Sequence, residues 1–130
     1  MSEVILEFTI GINPRTKKNG QQIYVNRRTE KPFVSQNDTY KAYEASAWVF
    51  MPRLPEPISF PVNVQAVYYR KKKGIVDLNG LNQCLHDVLV YYGVLADDNY
   101  KIVAGTDGSR VKFDTENPRT EVTITRMVEE

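Results

Sequence analysis

The chain has 130 residues, 42% hydrophobic and 25% charged, which leaves room for one domain with a packed core and excludes wholesale disorder or a disulfide scaffold. One cysteine, Cys84, and one histidine, His86, exclude an internal disulfide and a Cys/His zinc cluster, so any metal has to rest on oxygen ligands. The net charge of +1 conceals an asymmetry: residues 1–73 carry 12 Lys/Arg against 6 Asp/Glu, a net of +6, and residues 74–130 carry 5 against 10, a net of −5. No apolar run approaches the roughly 18 residues of a membrane span. The first residues carry Glu3 and Glu7 where a signal peptide carries cations, so a soluble, cytoplasmic protein is predicted.

In chain order, Val4, Leu6, Phe8 and Ile10 alternate over residues 3–10, the period of a half-buried strand. Residues 11–21 collect Gly, Pro, Asn and Lys and read as an exposed loop, followed by a short strand pair at 22–26 and 31–34 that turns through 27–30. Ser35 and Asp38 have capping-box spacing, and Tyr40, Tyr43, Ala47 and Phe50 or Met51 then recur at helical intervals as far as Pro52. Pro52, Pro55, Pro57 and Pro61 mark a connector. Val62, Val64, Ala66 and Tyr68 alternate in the next strand, which delivers Arg70, Lys71, Lys72 and Lys73 to a loop.

Leu78, Leu81, Leu85, Val88 and Tyr92 share one stripe of a helix over 78–92, closed by Gly93. Asn79, Gln83 and Asp87 form a polar column on its opposite side. Strands are predicted at 101–104, 110–113 and 121–127, with a turn at 105–109. The fold class is therefore α+β: one small domain with a mixed or antiparallel sheet and two main helices.

The basic residues fall in two groups, Arg15, Lys17, Lys18, Arg27, Arg28 and Lys31, then Arg70 to Lys73. A basic block alone reads as a solvated surface. The second block, however, ends four residues before Asp77, the first of four aspartates (Asp77, Asp87, Asp97, Asp98) within 22 residues. Cations suited to phosphate thus adjoin carboxylates suited to a hard metal ion. A helix of about 14 residues is about 21 Å long, so Asp77 and the Asp97–Asp98 pair can share an ion only if the chain curls back through 93–96. Otherwise they are capping and turn aspartates.

Asp77-Leu78-Asn79-Gly80-Leu81, Asp87-Val88-Leu89 and Gly93-Val94-Leu95-Ala96-Asp97-Asp98 together resemble the RusA-type family of Holliday junction resolvases. In that family an Asp-Leu-Asp-Asn-Leu motif opens a helix and an Asp-Asp pair follows at this spacing. Pro14, Val34-Ser35, Tyr40-Lys41 and Val122-Thr123-Ile124-Thr125 agree more loosely. The resemblance implies a homodimeric α+β endodeoxyribonuclease that binds four-way DNA junctions and makes paired, Mg²⁺-dependent (or Mn²⁺-dependent) cuts in recombination and repair. It implies that Asp77, Asn79, Asp97 and Asp98 are catalytic, with Asp77, Asn79 and Asp98 as metal ligands. DNA would then be held by Arg15, Lys17, Lys18, Arg27, Arg28, Arg70 to Lys73 and Gln83. Three positions depart from the motif: Asn79 stands for its second aspartate, Gly80 for its asparagine and Gln83 for a lysine. Asn79 removes a negative charge from the implied metal site, Gln83 removes a cation that could hold substrate phosphate and Gly80 loosens the helix start, so a junction-binding protein with impaired catalysis is the alternative.

Of the remaining residues, Tyr40, Tyr43, Tyr92 and Cys84 are assigned to the core and His86 to the exposed side of the helix. Trp48 is placed among the aromatics able to stack on unpaired bases.

Overall fold

The alternation of Val62, Val64, Ala66 and Tyr68 makes the inner face of a central strand in the computed structural model, which describes residues 3–16, 22–25, 32–35 and 38–127. The elements are β1 (Glu3–Ile10), β2 (Gln22–Val25), β3 (Pro32–Ser35), α1 (Asp38–Ala47, continued by a 3₁₀ turn at Trp48–Phe50), β4 (Val62–Arg70), α2 (Leu78–Tyr91), β5 (Val103–Gly105), β6 (Arg110–Phe113) and β7 (Arg119–Arg126). Among the described residues the fold is α+β with two α-helices and a mixed five-stranded sheet, as the sequence predicts.

β1, β7 and β4 pair antiparallel in that order, and β5 and β6 both run parallel to β4 on its other edge. β5 pairs with the start of β4 and β6 with its end. The turn between them is pinned by side chains: Asn63 Nδ2 donates to the Asp107 carbonyl (3.1 Å), Asn63 Oδ1 accepts from the Asp107 N–H (2.8 Å), and the Ala66 N–H donates to Ser109 Oγ (3.0 Å). These bonds satisfy polar groups where the edge ladder is broken. β2 and β3 form a separate antiparallel hairpin.

Parallel pairing of β4 with β5 needs a crossover, and α2 supplies it. Its apolar stripe (Leu81, Cys84, Leu85, Val88, Leu89) joins Val62, Val64, Ala66, Tyr68, Val122 and Ile124 of the sheet and Tyr40, Tyr43 and Ala47 of α1 in one buried cluster. Fully burying a side chain such as Leu85 or Val88 contributes about 1.5–3 kcal/mol. Inside the core, the Tyr68 hydroxyl donates to Asn82 Oδ1 (2.7 Å), tying β4 to α2. The opposite face of β4 and β7 is only half buried, as in sheets packed on one side.

Several boundaries differ from the predicted ones. Ser35 belongs to β3 and Asp38 is the first residue of α1, so Ser35 is a strand residue and not a helix cap. β7 starts at Arg119, because Arg119 and Thr120 pair with Tyr69 and Tyr68. Among the described residues, no helix is long and apolar enough to cross a membrane.

Candidate functional site

Asp77 is the N-cap of α2: its backbone is extended (φ −87°, ψ 119°) and Oδ1 accepts from the Asn79 N–H at 3.1 Å. Its carbonyl accepts the first helical bond, from Leu81 N–H (3.1 Å). Such a cap contributes about 1 kcal/mol, and the positive end of the helix dipole favours the carboxylate there. Asn79 and Gln83 follow on the exposed side of α2, one turn apart, and Asp87 is half buried a turn further on. The polar column is therefore real, and it starts at Asn79, two residues after the cap.

The topology gathers cations around the same corner. β4 and β6 end there, β7 begins there, and β1 ends there opposite Thr120. This end of the sheet thus carries the loop after β1 with Arg15, the block Arg70 to Lys73, Lys112 near the end of β6 and Arg119 at the start of β7. Asn13 Oδ1 accepts from the Lys71 N–H (3.0 Å) and joins the two basic loops. Lys73 Nζ stands 5.2 Å from the Phe113 ring centre, and Tyr69 lies beneath Arg119 (3.8 Å) and Lys112 (5.7 Å). Arg119 is neutralised locally, with ion pairs of 3.0 Å to both Asp114 and Glu121. Lys112 belongs to this rim although the sequence reading omits it, because β6 looks isolated in sequence and only its parallel register on β4 carries it there.

Between the two basic loops lies a small polar pocket of about 100 Å³, lined by Pro14, Arg15, Thr16, Thr39, Tyr40, Arg70 and Val76. Thr16 is 8% exposed. An added Cβ at Gly80 would lie 3.7 Å from both Thr16 Cγ2 and Asp77 Cβ, so one pocket wall is a neighbour of the cap. The larger cavity, about 450 Å³, lies at the other end of α2 between Trp48, the Pro52–Pro57 connector, Tyr92 and Gly93. Trp48 is half exposed there beneath Arg53 (5.2 Å).

Asp97 and Asp98 stand away from the basic corner. Gly93 (φ +78°) turns the chain back, and Leu95 then bridges Ile58 ahead of β4. Asp97 Oδ1 accepts from the Asp98 N–H (2.7 Å) and Oδ2 from Asn99 Nδ2 (3.0 Å), and these bonds hold its carboxyl below the usual carboxylate range. Leu95 on one side and Ile102 on the other are tied to the chain at the start of β4, through the Ile58 bridge and the Val62 N–H to Ile102 carbonyl bond (2.8 Å), so the curl through 93–96 leads to the end of β4 opposite Arg70 and the Asp77 cap. Among the described residues, no three His, Cys, Asp or Glu side chains converge as a metal-binding group.

His86 corrects the sequence reading: it is buried at 9% exposure, not exposed, and its Nε2 has no hydrogen-bond partner. It flanks the apolar stripe closely enough for the packing to cover it. Tyr40, Tyr43 and Cys84 are core residues as assigned, whereas Tyr92 is half buried and donates to the Glu44 carbonyl (2.7 Å). Lys17, Lys18, Arg27, Arg28 and Lys31 lie outside the described residues. Compared with known proteins, the chain matches no family model and no curated protein.

Proposed function

We propose that the chain is a divalent-metal-dependent endodeoxyribonuclease that cuts four-way DNA junctions in recombination and repair and works as a homodimer. The observation that carries this reading is the placement of Asp77 at the exposed start of α2, at the end of the sheet where Arg15, Arg70 to Lys73 and Lys112 converge. A phosphodiester bound by the cations would lie alongside a carboxylate and the exposed amide of Asn79, the hard oxygen donors that Mg²⁺ takes. Bound there, the ion would polarise the phosphoryl oxygen and supply an activated water. The lysines and arginines fix the strand's position through its phosphates and read no sequence.

A four-way junction has two-fold symmetry, which a two-fold dimer matches with two identical sites. The dimer also answers the separation of the acidic residues. A two-fold axis that sets two α2 helices antiparallel places the Asp77 end of one chain at the Asp98 level of the other. Each site is then completed by both chains, with Asp77 and Asn79 from one and Asp98 from its partner. A second reading, a junction-binding protein without turnover, is favoured by Asn79 and Gln83, two neutral residues on the column where the resemblance implies a carboxylate and a lysine.

Cleavage of a synthetic four-way junction with Mg²⁺ decides between the two. Asp77→Asn is expected to abolish cleavage and leave junction binding intact. Asn79→Asp with Gln83→Lys is expected to raise cleavage. In mixed dimers of an Asp77→Asn chain with an Asp98→Asn chain, a site shared between chains regains one cut per junction, and a site within one chain regains none. Binding without cleavage, even after both restorations, establishes the second reading, and absence of junction binding overturns both.

A further inference from the structure

We propose that the pocket between the loop after β1 and the end of β4 is a preformed site for a single phosphate group, supplied by a bound DNA strand. Its size is selective: about 100 Å³ is several times what one water needs and well below the 300–1,000 Å³ typical of sites for larger ligands. A tetrahedral oxyanion fits, and a nucleoside does not.

Among the described residues, the charge on its lining has one sign. Arg15, from the loop after β1, and Arg70, at the end of β4, both line it beside Thr16 and Thr39, and no described carboxylate does. The Tyr40 hydroxyl is turned to Glu44 as a donor (3.3 Å). Arg70 supplies the second observation: its Nη1 donates to the Gly74 carbonyl (3.2 Å), while Nε is buried with no acceptor. A buried donor without a partner costs about 1–3 kcal/mol. A guanidinium at the pocket wall offers a phosphate oxygen the paired N–H geometry that an ammonium lacks. Val76 closes the pocket two residues before α2.

The nuclease reading enters only as the source of the phosphate, and the test separates the two. Inorganic phosphate is titrated into the full chain while the Arg Nε–Hε resonances are followed by NMR, with chloride at matched ionic strength as control. A saturable shift of the Arg70 resonance, absent with chloride, is the expected result. Arg70→Lys and Arg15→Gln should each weaken phosphate binding about tenfold or more, as loss of a charge-assisted hydrogen bond does. Lys101→Ala, at the far end of the sheet, should not, and thermal melts confirm that the variants fold. No saturable shift, or an equal one with chloride, overturns the pocket whatever the cleavage assay shows.

Junctions carrying single methylphosphonates then identify the source. If the pocket takes an internal phosphate, one neutralised position abolishes the penalty of Arg70→Lys. If it takes a strand end, a 5′-phosphorylated end competes better than a 5′-hydroxyl. Phosphate binding without junction binding keeps the pocket and removes the junction reading.

Discussion

The imidazole of His86 is enclosed by α2 and its surroundings, and burial pushes its pKa below the ordinary value of 6.5, while the charges of Asp98 and Asp87 pull it back up less strongly. The unfolded chain therefore binds the proton more readily than the folded one. Stability from this residue is fully present above about pH 6.5, the value of the unfolded histidine, and is lost as the pH falls towards the depressed folded value. The urea midpoint is expected to drop between pH 7.5 and 5.5 in the native chain, and by clearly less in His86→Gln. Equal drops would mean that the imidazole takes up its proton in place. The hydroxyl of Tyr68 shows the opposite use of a buried polar group: burial raises its pKa, it stays a donor, and Asn82 receives the bond.

At the scale of the element, α2 is held by its two ends and its stripe, and its two glycines differ in kind. Gly80 is the third helical residue, and a Cβ there would meet Thr16 and Asp77 only at ordinary contact distance. Gly80→Ala is expected to stabilise the fold by about 0.5–1 kcal/mol through helix propensity and a less flexible unfolded chain. Gly93 has φ +78° just past the helix, where the Val94 N–H donates to the Leu89 carbonyl (2.8 Å) and the Gly93 N–H to that of Val90 (3.1 Å). This is a left-handed C-terminal stop, and Gly93→Ala should cost about 1 kcal/mol. Urea denaturation of the two variants, moving in opposite directions, checks the assignment. The turn at Gly93 matters for the site because it brings the following residues back to Ile58 ahead of β4, at the end of that strand away from the Asp77 cap.

For the whole molecule, the sheet separates the charges that the linear sequence only hints at. Arg15, Arg70 to Lys73 and Lys112 share one end. If those cations contact phosphates, replacing Arg70 to Lys73 with alanine lowers the log–log salt slope of DNA binding by nearly one unit per lost contact, and Lys112→Ala lowers it by about 0.9. Arg119→Ala should leave the slope nearly unchanged, since Asp114 and Glu121 already occupy that guanidinium. Binding measured between 50 and 200 mM salt checks all three. Equal slopes in the native and four-alanine proteins would return the block to a solvated surface.

Much of the local structure was legible because it depends on near neighbours. Period-two alternation located β1 and β4, and the 3.6-residue stripe with an aspartate before it and Gly93 after it located α2 within a residue. The fold class followed from those periods, since each element must bury one apolar side. Ser35 was misread because capping spacing occurs by chance, and whether it continues a strand depends on pairing with Gln22. His86 was misread because helical position gives a direction and not what lies in that direction. Only the tertiary structure decided that Lys112 and Arg15 share a corner with Arg70 and that Asp97 spends both oxygens on its own turn. It alone also tied the chain on either side of Asp97 and Asp98 to the start of β4. Those facts depend on strand order, parallel register and the path after Gly93, contacts between residues far apart in the chain that no local period encodes.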